Sequence, residues 1–166
     1  HEKRLDKILL GFEEGPWWVR DPSGACDHVL LPLLRAFAAR SLMSSAASTV
    51  ALLRGETGAY VNVRIGKPWD FAPGTLLVRE AGGIACAPDG TELRWDTMRT
   101  MDVVFAASRP ILEVILAITR PWYEHLRTDW ENKDFPPENC PECSDLEENE
   151  GAKTVSKPQA FPCPYC

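Results

Sequence analysis

Residues Lys67 to Gly83 read KPWDFAPGTLLVREAGG, and this stretch decides the fold. Gly66, Lys67 and Pro68 break whatever precedes them. Asp70 then predicts the N-cap of a helix from Phe71 to about Ala81, because a short carboxylate at that place accepts an N–H of the first turn. Pro73 is tolerable in such a first turn, where its missing N–H has no intrahelical partner. Leu76 and Leu77 continue the helix, and Gly82-Gly83 supplies its stop. An Asp so placed has two uses. It caps its own helix, or it turns outward and ligates a hard cation such as Mg²⁺ through oxygen. Trp69, beside it, is large enough to lock the loop.

Outward from that helix, strands and helices alternate. Lys7 to Phe12 is a short apolar run stopped by Gly-type neighbours and reads as a strand. Asp27 predicts a cap for a helix from His28 to Ala39, with Leu30, Leu34 and Phe37 on one face. Ser44-Ser45 offers an N-cap for a helix Ala46 to Arg54 that Gly55 ends. Its first four residues are small, as suits a helix packed closely on a sheet. Ala59 to Ile65 alternates and carries β-branched residues, so it predicts a strand. Ile84 to Ala87 predicts another, followed by a turn at Pro88–Thr91 and a return strand from Glu92 to Trp95. Val103 to Ala107 predicts a buried strand, and Ser108 the cap of a last helix through Ile118. The class expected is α/β, a layered mixed sheet with packed helices.

Taken together, Trp69, Asp70, Ala72, Gly74, Glu80, Ala81, Gly82 and Gly83 resemble the C-terminal signature of the inositol monophosphatase family, Trp-Asp-x-Ala-x-Gly followed by Glu-Ala-Gly-Gly. Ser44-Ser45-Ala46-Ala47 resembles that family's Gly-Ser-Ala-Ala helix start, and the likeness extends over roughly Lys7 to Ile118. The resemblance implies a sugar-phosphatase-like fold and Mg²⁺-dependent hydrolysis of a small phosphorylated metabolite. It implies that Asp70 ligates catalytic Mg²⁺, and that Ser45, Ala46 and the region of Asn62 line the substrate pocket. Around Asn62 the chain departs from the pattern: Asn62, Val63 and Arg64 stand where the family carries a sugar-binding Glu. Pro73 replaces the middle alanine of the signature. The family's remaining metal ligands, an acidic helix residue and Asp-Pro-Ile-Asp-Gly-Thr, have no equivalent. Asp21-Pro22-Ser23-Gly24 reads as a type I turn. The expectation is the C-terminal half of such an enzyme, inactive alone because one carboxylate cannot hold a two-metal site.

The last 47 residues differ in composition. From Arg120 onward five Lys or Arg face ten Asp or Glu, and seven of the fourteen prolines lie there. The shift predicts a boundary, with residues 1–119 as the α/β body and 120–166 as an acidic, proline-rich tail. Cys140-Pro-Glu-Cys143 and Cys163-Pro-Tyr-Cys166 lie nineteen residues apart, inside the zinc-ribbon range. Two such turns can direct four thiolates at one Zn²⁺ in a closed, structural set. Disulfides or a redox pair are the competing readings. Cys26 and Cys86 stand alone and read as buried thiols. His28 and His125 are single and read as solvated, and Trp17-Trp18 as cover for one end of the sheet.

These patterns exclude several classes of function. A net charge of −6 argues against nonspecific nucleic-acid binding, which needs cations to displace counterions. The longest apolar run, Val29 to Leu34, is interrupted by Pro32, so no membrane helix is predicted. No basic n-region with an apolar h-region is visible, and the expected compartment is the cytoplasm. Homodimerisation is left open. The competing function is a non-catalytic α/β scaffold whose zinc ribbon docks a partner.

Overall fold

The computed structural model describes residues 8–13, 26–95 and 101–132. The Asp21–Gly24 turn, Trp17-Trp18 and the four tail cysteines lie outside them. The chain divides into a unit His1–Leu126 and a unit Arg127–Cys166.

Five strands form one sheet in the order β2-β1-β3-β5-β4. They are β1 (Leu9–Glu13), β2 (Ala38–Arg40), β3 (Ala59–Gly66), β4 (Ile84–Cys86) and β5 (Met101–Ala106), with helices α1 (Leu31–Ala36), α2 (Ser45–Leu53), α3 (Pro68–Glu80) and α4 (Arg109–Asn132). β1 runs parallel to β2 and β3, whereas β5 is antiparallel to both β3 and β4. The mixed α/β sheet expected from the alternation is therefore present.

Strand alternation assigns each face its helices. Leu10, Phe12, Val61, Val63 and Val104 pack with Leu33 of α1 and with Leu112, Ile115 and Trp122 of α4. Tyr60, Val103 and Phe105 point the other way, against Leu52 of α2 and Phe71 and Val78 of α3. Two dry cores thus sandwich one sheet, α1 and α4 on one side and α2 and α3 on the other.

Glycine permits the tightest of these contacts. A Cβ on Gly74 would stand 3.0 Å from Thr49 Oγ1 and 3.1 Å from the Phe105 ring, so α3 meets α2 and the sheet there. Gly82 takes φ +80°, and a Schellman end closes α3: the Gly83 N–H donates to Val78 O at 2.8 Å and the Gly82 N–H to Arg79 O at 3.0 Å.

Four local expectations are corrected. The helix from His28 to Ala39 is instead a wide π-type turn (Cys26–Leu30) followed by the short α1, and Ala38–Arg40 pairs as β2. Pro32 explains this, because its ring clashes with the carbonyl four residues back and it brings no N–H. The α3 helix starts at Pro68 with Lys67 as N-cap, so Asp70 is its third residue and Pro73 lies within the helix. Glu92–Trp95 forms no strand. One bond, Ala87 N–H to Thr91 O, starts that return, but Arg79 of α3 then pairs with Glu92 and Leu93 turns into the core. Finally, α4 does not stop at Ile118. Trp122 is buried and the Tyr123 hydroxyl reaches Asp102 Oδ2 at 2.5 Å, packing that carries the helix past Pro121.

Candidate functional site

β1 and β3 are neighbouring parallel strands, yet β1 leads to α1 on one face and β3 to α3 on the other. Helices on opposite faces make the strands' carboxyl ends a switch point, the place where open α/β sheets bind ligands. The last residue of β1 is Glu13, and its register partner on β3 is Asn62. α2 begins at the same end, with Ser44 as N-cap and its Oγ accepting from the Ala47 N–H at 3.3 Å. The first turn of α2 thus brings its N-terminal N–H groups and the positive end of its dipole to this end of the sheet.

Polar residues fill this end of an otherwise apolar face. Glu13, 6% exposed, accepts from Ser48 Oγ at 3.2 Å and from Asn62 Nδ2 at 3.2 Å. The nearby Tyr60 hydroxyl and Ser44 backbone N–H also favour its charged form. Asn62 Nδ2 reaches the Tyr60 oxygen at 3.1 Å as well. Burial raises the Glu13 carboxyl above its ordinary range, and the bonds from Tyr60, Ser48, Asn62 and Ser44 only partly oppose this. The Tyr60 phenol is pushed far up, first by burial and then by the charge of Glu13, with Asp70 adding to the same effect. Asn62 is 1% exposed, and its Oδ1 has no partner among the described residues.

The residues expected from sequence divide between this network and its rim. Asn62 lies inside it. Ser45 is half-buried and Ala46 exposed, both in the first turn of α2 directly after Ser44. Asp70 is exposed at the start of α3, where its Oδ2 accepts the Lys67 N–H at 2.8 Å while its own N–H donates to Lys67 O at 2.9 Å. Its electrostatic reach extends to Tyr60, but no hydrogen bond joins it to Ser45, Ala46 or Asn62 among the described residues. Trp69 does not lock this loop, being 59% exposed. Phe71 does so instead, fully buried beneath Gly66. Sequence reasoning missed Glu13, Ser48 and Tyr60. The only signal was a carboxylate closing an apolar strand.

As a metal ligand, Asp70 offers one exposed hard oxygen beside its capping bond. That suits Mg²⁺, which keeps several waters and takes one or two carboxylates together with substrate phosphate. Among the described residues no group of three or more His, Cys, Asp or Glu could hold an ion by itself.

The sequence profile of the inositol monophosphatase family matches residues 18–122. This chain belongs to that family. Solved structures of similar fold include inositol monophosphatase II from Staphylococcus aureus, at 22% identity and TM-score 0.63, covering 82% of this chain and 49% of that one. An inositol monophosphatase from Anabaena has 22% identity and TM-score 0.57, covering 69% of this chain and 45% of that one. One from Thermotoga maritima has 19% identity and TM-score 0.57, covering 75% and 45%. The chain therefore spans about half the length of these solved relatives. No curated protein matches significantly. Among the described residues no helix is long and apolar enough to cross a membrane.

Proposed function

We propose that this family member takes part in Mg²⁺-dependent hydrolysis of a small phosphomonoester, and that its chain builds one wall of the site. The observation that carries the reading is the buried polar cluster at the carboxyl ends of β1 and β3, with the first turn of α2 and Asp70 around it. Asp70 would hold Mg²⁺, which when bound polarises the phosphate and activates a water. Ser45 and Ala46 would present first-turn N–H groups to the phosphate or to the alcohol it esterifies, where a helix N-terminus favours an anion. Asn62 would set the polarity of the pocket floor as an amide, not a carboxylate.

A single carboxylate cannot hold two metals, so this chain alone is expected to bind Mg²⁺ and phosphate without appreciable turnover. Staphylococcal relatives were crystallised with inositol monophosphate and with 2′AMP, and both belong in the substrate panel. Phosphate release and Mg²⁺ binding should be measured for the parent and Asp70→Asn. Asp70-dependent binding supports the reading. Loss of it from the parent removes the reading, and Asp70-dependent turnover would show that the wall is already a complete site.

For the tail we propose one structural Zn²⁺ on Cys140, Cys143, Cys163 and Cys166, supported by the two C-x-x-C spacings. Elemental analysis of the parent against Cys143→Ser tests it, with one equivalent of zinc expected in the parent alone. We take residues 1–119 as the catalytic-family body and 120–166 as the tail. We take the compartment to be the cytoplasm.

A further inference from the structure

Glu13 belongs to none of the motifs that identify the family, yet it joins β1 to both α2 and β3 through the polar cluster. Its carboxylate accepts from the Ser48 hydroxyl of α2 and from the Asn62 amide of β3, and the Ser44 backbone N–H and Tyr60 hydroxyl further favour its charge. These groups come from two elements, α2 with its cap and β3, and meet on a third, β1. Glu13 and Asn62 face each other in register on β1 and β3, so the carboxylate hangs from paired strands of the sheet. The helix it holds, by contrast, follows a loop in which Met43 takes φ +52° and is 70% exposed. Such a conformation is costly for a side chain with a Cβ and persists only when the surroundings fix it. A loop of this kind does not itself aim a helix.

We infer that Glu13 is the positioning residue of the site: it clamps the N-terminus of α2 to β1 and β3, and so fixes where Ser45 and Ala46 present their N–H groups to a phosphate. The inference rests on the functional reading above, in that phosphate is taken as the group presented. The chemistry of the clamp makes it directional. A carboxylate has only acceptors and is held here by donors from two elements, Ser48 and Asn62, which together impose one orientation on it. Glu13→Gln keeps the shape but replaces one acceptor by an NH₂, which must then face a donor.

The test uses the full chain and two readouts. Amide hydrogen exchange in Glu13→Gln should speed up at Ser44 by about tenfold or more, while Val104, Phe105 and Leu112 keep their protection within about twofold. Inorganic phosphate, titrated in the presence of Mg²⁺, should bind the variant about tenfold more weakly than the parent. Unchanged Ser44 exchange would overturn the inference, and so would acceleration shared equally by all core amides. Accelerated Ser44 exchange with unchanged phosphate affinity would also overturn it, because the clamp would then hold the helix without serving the ligand. A parent that binds no phosphate would remove the functional reading, and Ser44 exchange would still decide whether Glu13 clamps α2. Should Glu13→Gln fail to fold, Ser48→Ala and Tyr60→Phe each remove one donor. Each should raise Ser44 exchange about threefold, and no change in either would refute the clamp.

Discussion

The two faces of the sheet are built from the same strands and do different work. Toward α1 and α4 the central contacts are apolar: Leu10, Val61 and Val104 meet Leu33, Leu112 and Ile115, all at most 2% exposed, and the polar bonds of Thr119 and Tyr123 lie at the far end of α4. Toward α2 and α3 the core is equally dry at its centre, around Tyr60, Phe71 and Phe105, but ends in Glu13, Ser48 and Asn62. Folding alone does not ask for that ending, since burying a carboxylate costs free energy unless donors surround it. The polar cluster at one end of this face, at the strands' carboxyl ends, is where the proposed function places the ligand chemistry. The outer side of that layer differs again, with Val50, Leu53, Leu76 and Leu77 exposed.

The largest expected effect is on the dry face. Leu112→Ala should cost about 3 kcal/mol of stability in denaturant unfolding, by removing buried methyl groups that the sheet cannot collapse to replace. On the opposite face the sensitive position is a gap. Gly74→Val should cost about 2 kcal/mol, because its Cβ alone would already press on Thr49 and Phe105. Equal losses at an exposed control such as Ala72 would blur the contrast.

The pH dependence has the same direction on both faces but falls in different windows. Cys86, on the α1 and α4 side, has its thiol pushed up to about 11 by burial. A raised acid favours its protonated form in the folded state, so that contribution is present below the ordinary thiol value and fades as pH rises towards 11. Glu13 is raised too, so its contribution is present below the ordinary carboxylate value and is lost as pH rises through the window above it. Melting curves of the parent and Glu13→Gln should therefore diverge across mildly acidic pH, the parent losing ground as pH increases. A parent that gains on the variant there would reverse the assigned cause. The smallest stability change is expected on the outer side of α2 and α3. Leu76→Ser with Leu77→Ser should shift stability by no more than about 0.5 kcal/mol while reducing self-association in sedimentation.

Local signals carried most of the fold. Ser44 and Gly55 bracket α2, alternation marks β3, and Gly82-Gly83 stops α3, because each of these depends on neighbours a few residues away. Where distant packing decides, the sequence misleads. Trp122 and Tyr123 carry α4 beyond a proline that reads as a terminus, and Arg79 draws Glu92 out of a strand that its spacing suggested. The site shows the same division. Asp70, Ser45 and Ala46 are legible through a motif, and Asn62 through its place in the pattern. Glu13 was invisible because the side chains it binds lie 35 and 49 positions away, and only the sheet register brings them together.

The central claim is that the polar end of the α2 and α3 face is where the metal and phosphate meet Asp70. Paramagnetic line broadening by Mn²⁺, used in place of Mg²⁺ with inorganic phosphate present, tests it most directly on the intact chain. The account predicts broadening centred on the amides of Lys67 to Phe71 and reaching Ser44 to Ala47, and its disappearance in Asp70→Asn. Broadening confined to the acidic stretch from Glu142 to Glu150, or persisting unchanged without the Asp70 carboxylate, would contradict it.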